Sequence, residues 1–495
     1  LNSPIRNGEV VHTGVIPFLK LMESTVKSCH QNGIRGGSAT VNFPFWHYEA
    51  EDMVVLKNNS GTDDNRVRKL DYCIQFSELF YKRFLKNEDI TLFSPYEAKD
   101  LYDAFGHENF DELYEQYERK TSLKFKKTVS ARKLMSLFVK ERVETGRIYF
   151  MNIDHCNQRS AWDDDIKMTN LCVEVLHPTK PLQHPDDKNA EIGICILSAI
   201  NVLEIQSDAE MEKVCDIIVR ILDQLIDYQD YFLPAAENFT KNRRSLGIGI
   251  TNFAAYLAKH DVKYTDEEAP NVADELMEKV QYYLLSSSCN LSQEKGKCPK
   301  FNKTKYSQGW LPIDNYKKEI DEFVTRKHSM DWEGLRERIK EHGLRHSTVS
   351  AIMPCESSSV IQCSTNGIEP IRSYITYKKS KARTLPVIVP NYSSYKSRYT
   401  LAYDMENNEG LIKIVGALQK WVDMSISANM YYNYAHYENG ALPDSKVIKE
   451  ILLAYKLGWR TGYYNNTDDG DKQSLNDGEP NDNIEDGCES GACAL

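Results

Sequence analysis

The sequence predicts an α/β fold in which short apolar strands alternate with amphipathic helices. Helical periodicity is clearest over 208–231, where apolar residues recur at three- and four-residue steps. The members of that predicted apolar face are Met211, Val214, Ile218, Ile221, Leu222 and Leu225. Short strand-like runs lie at 147–153, 191–200, 245–251, 348–353 and 385–390. Because these runs alternate with helices, we expect strands that are covered by helices.

Two more helices are predicted in the second half of the chain, over 409–427 and 444–458. Asp444 and Ser445 are candidate amino-terminal caps of the latter, and Gly458 is its candidate stop. The composition then changes to Asn, Asp, Gly, Ser and Glu. Because few apolar side chains remain to offset the entropy cost of ordering, we predict a mobile tail over 466–495.

The charge of the chain argues against a general nucleic-acid-binding protein. The formal net charge is −11, and 466–495 contributes −8 of it through nine acidic residues and one lysine. Neutralising phosphates requires concentrated Lys and Arg instead. No stretch has the roughly 18 to 20 apolar residues of a membrane helix, and the first residues lack a secretory pattern. We therefore expect a cytoplasmic protein that contacts neither nucleic acid nor membrane directly.

Twelve cysteines in a long cytoplasmic chain are expected to be mostly reduced, since disulfide frameworks belong to small secreted proteins. Cys488 and Cys493 differ from the others, because the acidic tail offers no core in which to pack. No C-x-x-C motif or His cluster lies nearby to complete a metal site. A mobile dithiol that carries reducing equivalents is one interpretation of this pair, and an accidental pair is the other.

Asn170, Cys172 and Glu174 alternate in a short polar segment. In an extended strand, side chains two residues apart project to one face, so amide, thiol and carboxylate could converge on one substrate. The carboxylate disfavours a thiolate beside it but could act as a general base. A solvated strand edge or a turn is the alternative interpretation. Cys195 lies in an apolar run and, taken alone, is expected to be a core cysteine.

Many segments together resemble one family, the large catalytic subunit of class I ribonucleotide reductase from enteric bacteria and their large phages. The similarity runs over essentially the whole chain. The matching segments are SPIRNGEVVHTG, NGIRGGSATVNFPFWH, DITLFSPYEAKDLYDAF, NLCVEVLHPTKPL, DYQDY, STVSAIMPCESSS, TNGIEP, SISAN and DGCESGAC.

The resemblance implies an α/β barrel of ten strands in two half-barrels, with a central finger loop inside and a disordered carboxyl-terminal tail. Residues 1–200 would form the first half-barrel with the effector loop and the finger loop. Residues 201–465 would form the second half-barrel and a carboxyl-terminal α/β region, and 466–495 the flexible acidic redox tail. The first barrel strand would be missing from this chain.

The family likeness also assigns roles at the finger loop. Cys172 resembles the cysteine that becomes a thiyl radical and removes the 3′ hydrogen of a ribonucleoside diphosphate. Glu174 resembles the base on the 3′ hydroxyl, and Asn170 the amide that holds the sugar hydroxyls. Cys195 resembles one member of the redox pair that reduces the 2′ position. Because a thiyl radical is neutral, the neighbouring carboxylate no longer opposes it.

Three further motifs are matched. The turn at 353–359 is similar to the family's diphosphate-binding turn, although a cysteine stands where a serine is expected; its candidate residues are Pro354, Cys355, Glu356, Ser357 and Ser358. Tyr463 and Tyr464 resemble paired tyrosines that relay an oxidising equivalent to the thiyl cysteine. The loop at 32–39, with Arg35, and the SPIR segment, with Arg6, resemble the site of an allosteric deoxynucleotide effector.

The likeness implies several partners and no metal or covalently bound cofactor in this chain. The partners are a small subunit whose metal site generates the radical, thioredoxin or glutaredoxin for the tail dithiol, ribonucleoside diphosphate substrates, and deoxynucleoside triphosphate or ATP effectors. The family's redox partner of Cys195 lies upstream of SPIR. Either the given sequence is a fragment of a longer subunit, or the subunit is split and a separate chain supplies the amino-terminal half; we expect the second. Two rivals remain: a regulatory nucleotide-binding remnant without catalysis, and a thiol oxidoreductase that acts through the tail alone.

Overall fold

Parallel strands form the centre of the fold and helices pack around them, which confirms the predicted mixed α/β class. The computed structural model describes residues 1–31, 35–379 and 384–468. Within this part, the strands are β1 (Pro4–Ile5), β2 (Val10–Val11), β3 (His30–Gln31), β4 (Arg35–Gly36), β5 (Thr40–Pro44), β6 (Asp71–Phe76), β7 (Asp89–Phe93), β8 (Lys126–Ser130), β9 (Ile148–Asn152), β10 (Leu197–Asn201), β11 (Gly247–Thr251), β12 (Ile375–Lys379), β13 (Thr384–Ile388), β14 (Met430–Asn433), β15 (Thr461–Gly462) and β16 (Asn465–Asp468).

The helices have a wide range of lengths. They are α1 (Ile16–Ser28), α2 (Ala50–Val54), α3 (Glu78–Lys86), α4 (Lys99–Ala104), α5 (Phe110–Arg119), α6 (Ala131–Thr145), α7 (Ile153–Arg159), α8 (Asp208–Tyr228), α9 (Pro234–Arg243), α10 (Phe253–Lys259), α11 (Ala269–Lys295), α12 (Trp332–His342), α13 (Glu356–Ile361), α14 (Tyr392–Tyr395), α15 (Glu409–Gln419) and α16 (Asp444–Lys456). The long α11 packs against α8, α12 and α15. Among the described residues, no helix is both long and apolar enough to cross a membrane.

Two sets of parallel strands meet at one antiparallel pair. In the first set, β6 lies between β5 and β9, and all three run parallel. β15 then pairs antiparallel to β9. β16, which follows β15 along the chain, runs parallel to β14. The antiparallel junction therefore lies next to the two adjacent tyrosines, which connect β15 to β16.

The second set continues from β14 through the segment 348–353 to β11 and β10. Ile352 pairs with Ile426, just before β14, and Ser350 pairs with Ile248 of β11. β11 and β10 pair in parallel over five residues. β6, β9 and β11 are buried along their whole length, as expected for parallel strands covered on both faces.

The strand predictions hold in position but differ in length. The run 191–200 forms a strand only from Leu197, in β10, and the segment 348–353 is joined to its neighbours by isolated bridges. The run 385–390 contributes to β13, which pairs with β12 in a hairpin outside the parallel sets. β10 also spans the expected boundary at residue 200.

The predicted apolar face of α8 is partly wrong. Met211 and Leu222 are buried as expected, but Ile221 is 60% exposed and Leu225 is 41% exposed. The buried stripe instead consists of Met211, Cys215, Val219, Leu222 and Ile226. Both stripes have helical spacing, and contact with α11 decides which one is buried.

The helix termini partly follow the sequence signals. Ser207 caps α8 by accepting a hydrogen bond from the Glu210 N–H at 3.2 Å. The predicted caps of α16 are wrong, because the helix already begins at Asp444 and Pro443 occupies the cap position without a side-chain bond. Gly458 follows the helix end with a φ of 84°, which suits a glycine stop.

Candidate active site

The segment 169–176 is a tight loop, which corrects the expectation of an extended strand. Thr169 and Leu176 pair across its base, and the Val173 N–H donates to the Asn170 carbonyl at 3.3 Å. Val173 has a φ of 64°, in the left-handed region that β-branched residues rarely adopt. The turn at Val173 nevertheless brings Asn170, Cys172 and Glu174 together at the loop tip.

Hydroxyl groups from β5, from β15 and from the segment before β14 hold the backbone of this loop. The carbonyls of three consecutive residues, 171–173, each accept one of these hydrogen bonds. The bonds join Thr40 Oγ1 to Leu171 O at 2.9 Å, Ser427 Oγ to Cys172 O, and Thr461 Oγ1 to Val173 O at 3.0 Å. Because buried carbonyls are costly to leave unpaired, these bonds fix the position of the loop tip.

Glu174 is buried, with 2% of its surface exposed. Its Oε2 accepts a hydrogen bond from Ser427 Oγ at 3.0 Å, and Asn170 also bonds its side chain. Burial raises the pKa of the Glu174 carboxyl, while the bonds from Asn170 and Ser427 act in the opposite direction. A carboxylate held this way is suited to accept a proton from a bound hydroxyl.

The Cys172 thiol is partly buried and stays protonated at neutral pH. Burial, and secondly the charge of Glu174, raise its pKa well above the ordinary value of a thiol. The Tyr463 hydroxyl lies beside the thiol and acts in the opposite direction on its pKa. A neutral thiol is a poor ionic nucleophile, so the site favours chemistry that uses an intact S–H group.

Cys195 is an exposed free thiol, contrary to its interpretation as a core cysteine. The surrounding protein, and secondly the charge of Glu174, raise its pKa to about 12. Asn170 and Glu174 both act on the pKa of this thiol, so Cys195 lies beside the loop 169–176.

The two adjacent tyrosines extend this contact away from the loop. The Tyr463 hydroxyl donates to the Tyr464 hydroxyl at 2.8 Å, and the two ring centroids are 3.9 Å apart. The ring of Tyr149 packs against both, with centroid distances of 4.8 Å to Tyr463 and 5.7 Å to Tyr464. The hydroxyls of Tyr464 and Tyr463 therefore lead towards Cys172, with the Tyr463 hydroxyl beside the thiol.

A buried arginine holds the backbone of the tyrosine pair. Arg142 Nη1 donates to Tyr463 O at 2.7 Å and to Ile148 O at 2.6 Å, and Nη2 donates to Tyr464 O at 3.4 Å. Burial lowers its pKa to about 10. Arg142 was not predicted as a site residue, because nothing in its local sequence distinguishes it from surface arginines. Thr40, Ser427 and Thr461 were not predicted either, although Ser427 lies in the quoted SISAN segment.

The predicted diphosphate turn forms the start of α13. Cys355 is its cap residue and is buried, with its N–H donating to Asn366 Oδ1 at 2.6 Å and its pKa raised to about 11 by burial. The Cys355 thiol lies against the Met353 carbonyl, so it has little hydrogen-bonding capacity left for an incoming anion. Ser358 is exposed, Ser357 half-buried, and both belong to the first turn, where N–H groups precede the helical bonds.

The predicted effector-binding arginines and tail cysteines are not part of the loop site described above. Arg6 is exposed in a turn near the amino terminus. The backbone of Arg35 lies in β4, but its side chain and residues 32–34 lie outside the described part. Cys488 and Cys493 also lie outside it. Their roles stay predictions.

The comparisons with known proteins identify the family. The chain matches the ribonucleotide reductase barrel domain over residues 1–465. It is 47% and 49% identical, over 500 residues each, to ribonucleoside-diphosphate reductase alpha subunits of Haemophilus influenzae and Escherichia coli, and the alignments cover all of this chain. The alpha subunit of Enterobacteria phage T4 is 42% identical over 478 residues, which are 94% of this chain and 62% of that subunit. The chain spans 65% of the length of the first two relatives. The resemblance seen in the motifs is thus confirmed, and the chain belongs to the ribonucleotide reductase barrel-domain family.

Proposed function

We propose that this chain forms most of the catalytic site of a ribonucleoside-diphosphate reductase, which converts ribonucleotides to 2′-deoxyribonucleotides. The observation that carries the proposal is the series of polar groups from Tyr464 through Tyr463 to Cys172: the two tyrosine hydroxyls are hydrogen-bonded, and the Cys172 thiol lies beside both Tyr463 and Glu174. Such a path suits hydrogen-atom transfer: Tyr463 passes its O–H hydrogen to an oxidised Tyr464, and Cys172 then passes its S–H hydrogen to Tyr463. Cys172 becomes the radical without acquiring a charge.

The raised pKa values support the same chemistry. The Cys172 radical removes the 3′ hydrogen of the substrate, and Glu174 accepts the 3′ hydroxyl proton. Cys195 and a partner thiol provide two electrons and two protons: one proton leaves with the 2′ hydroxyl as water, the other forms the new C–H bond at the 2′ carbon, and the two sulfurs become a disulfide. Cys172 returns its hydrogen to the 3′ carbon. Exchange with the dithiol of Cys488 and Cys493 then restores the reduced pair.

Three components outside this chain complete the proposed enzyme in the cytoplasm. They are a small subunit with a radical-generating metal site, thioredoxin or glutaredoxin, and a region that supplies the partner thiol of Cys195. That region would also provide the missing strand of a ten-stranded barrel. Mass spectrometry of the natively purified enzyme shows whether that region and this sequence belong to one polypeptide or to two.

Reduction of CDP with dithiothreitol tests the function. The chain is assayed alone, with a radical-bearing small subunit, and with that subunit plus a candidate amino-terminal chain. We expect dCDP only in the full mixture, with Cys172→Ala abolishing it and Cys363→Ser, a change at another exposed thiol, leaving it intact. Nucleotide binding without dCDP in any mixture would favour a regulatory remnant. Disulfide exchange with unrelated substrates as the sole activity would favour a thiol oxidoreductase.

A further inference from the structure

The segment 425–429 runs beside the finger loop and bonds its surroundings at alternate residues. The Ser425 N–H donates to Glu174 O at 2.9 Å. Two residues on, Ser427 bonds the loop through its side chain, and Asn429 Oδ1 accepts from the Tyr464 N–H at 3.0 Å. Because side chains alternate along an extended segment, one face of it contacts both the loop and the tyrosine pair.

Ser427 has two acceptors for one hydrogen. Its Oγ lies within hydrogen-bond distance of both Cys172 O and Glu174 Oε2, and the side chain is buried. A hydroxyl group donates only once, although it can accept further bonds. At any moment Ser427 therefore satisfies either the carbonyl of Cys172 or the carboxyl of Glu174, and the other group has to find a different arrangement.

The protonation state of Glu174 decides between the two arrangements. An ionised carboxylate only accepts, and a charge-assisted bond is the stronger one, so the Ser427 hydrogen turns to Glu174. A protonated Glu174 can donate its own O–H to Ser427 Oγ, which frees the serine hydrogen for Cys172 O. We propose that Ser427 is a positioning residue that couples proton uptake by Glu174 to a hydrogen bond on the backbone of Cys172.

The coupling rests on the proposed function, in which Glu174 takes the 3′ hydroxyl proton once the Cys172 radical has removed the 3′ hydrogen. Ser427 would then hold the Cys172 carbonyl only after the base has acted. The titratable groups that face Glu174 are the thiols of Cys172, Cys195 and Cys355. Burial raises the pKa of each thiol, and the Glu174 charge raises it to a lesser degree. These thiols stay neutral near pH 7, so they leave the titration of Glu174 undisturbed.

Kinetics of the reconstituted complex give the first test. We expect Ser427→Ala to lower kcat for CDP about tenfold, to change KM less than twofold, and to move the acidic limb of the pH profile up by about one unit, because the carboxylate loses a donor. Ser427→Thr, which keeps the hydroxyl, restores both values. Ser347→Ala, which removes a buried hydroxyl bonded to Arg243 O, is the control and leaves the pH profile unchanged. An unshifted profile in Ser427→Ala would overturn the proposal.

Infrared spectroscopy of this chain gives a second test that needs no turnover. The protonated carboxyl band of Glu174 is assigned by subtraction of Glu174→Gln, and we expect its titration midpoint to rise by about one unit in Ser427→Ala. With ¹³C at the cysteine carbonyls, the same pH step shifts one amide band in the wild type and none in Glu174→Gln. Absence of that shift in the wild type would refute the coupling even if the complex makes dCDP. If no mixture makes dCDP, the proposed function fails and the infrared result still decides the role of Ser427.

Discussion

The hydroxyl groups of Tyr463 and Tyr464 lie 2.8 Å apart while their ring centroids are only 3.9 Å apart. Adjacent residues in a strand point to opposite faces, so this stacking requires a break in strand geometry. It occurs between β15, which pairs with β9, and β16, which pairs with β14. The change of pairing partner places both rings on one side, in line with Cys172.

Removing one hydroxyl should interrupt this line. We expect Tyr463→Phe to reduce dCDP formation at least about 100-fold in the complete mixture, because the S–H hydrogen of Cys172 loses its acceptor. The ring and its packing remain, so CDP binding should persist. The measurement is product formation over time, with equilibrium binding of CDP alongside.

Tyr149→Phe is the matched control for that change. The Tyr149 ring packs against both tyrosines, but its hydroxyl has no hydrogen-bond partner among the described residues. Removing this hydroxyl should leave turnover within about threefold of the wild type, since no bond is lost. Equal losses in both variants would show that ring packing, not the hydroxyl path, limits the reaction.

Cys195 offers a pH prediction that needs no partner. Only the thiolate reacts with iodoacetamide, and the pKa of Cys195 is raised to about 12. We therefore expect its alkylation rate to rise about tenfold per pH unit between pH 8 and 10. Peptide mass spectrometry after timed labelling measures the rate at this residue alone.

Glu174→Gln should speed that labelling, because it removes a negative charge that disfavours the Cys195 thiolate. The expected gain at pH 9 is several-fold. Glu144→Gln, at an exposed carboxylate on α6, is the control and should leave the rate unchanged. A rate that does not vary with pH in the wild type would contradict the raised pKa.

Glu174 should also make stability depend on pH. Its pKa in the folded protein lies above the ordinary value of 4.5, so the folded state binds the proton more tightly than the unfolded state. The free energy of unfolding therefore falls as pH rises from about 4.5 through the folded pKa, by about 1.4 kcal/mol per unit of difference. We expect Glu174→Gln to remove this fall, and urea unfolding between pH 4.5 and 8 to measure it.

The sequence predicted which finger-loop side chains converge but gave the wrong geometry for their meeting. Spacing alone placed Asn170, Cys172 and Glu174 on one face of a strand, whereas the structure brings them together by a turn at Val173. A valine with positive φ carries no local signal, because its own preference is for extended backbone. Tertiary bonds from Thr40 and Thr461 impose the turn.

The fold was predictable where the apolar residues form one run or one stripe. It was unpredictable where a helix has two possible apolar stripes. Strands such as β9 and β11 lie where apolar runs indicated, since parallel strands are buried on both faces. In α8, Met211 belongs to two possible apolar stripes, and only contact with α11 selects the one that contains Cys215. Partners far away in sequence also determine the role of Arg142, which bonds the carbonyls of Tyr463 and Tyr464 more than 300 residues later.

Arg142 is the residue whose loss should most disturb the tyrosine pair without touching the path itself. Its guanidinium is fully buried and satisfies the carbonyls of Tyr463 and Ile148, with a longer bond to Tyr464. We expect Arg142→Met to lower the free energy of unfolding by about 3 kcal/mol, because those buried carbonyls lose their donor. dCDP formation should fall as well, while Arg142→Lys, which keeps one charged donor, should recover part of both.

Arg119→Ala removes an exposed arginine that pairs with Glu115 on α5, and it should cost less than about 0.5 kcal/mol. Urea unfolding measures the stability of all three variants. Equal stability of Arg142→Met and Arg119→Ala would show that the Arg142 guanidinium does not hold the segment of Tyr463 and Tyr464 in place.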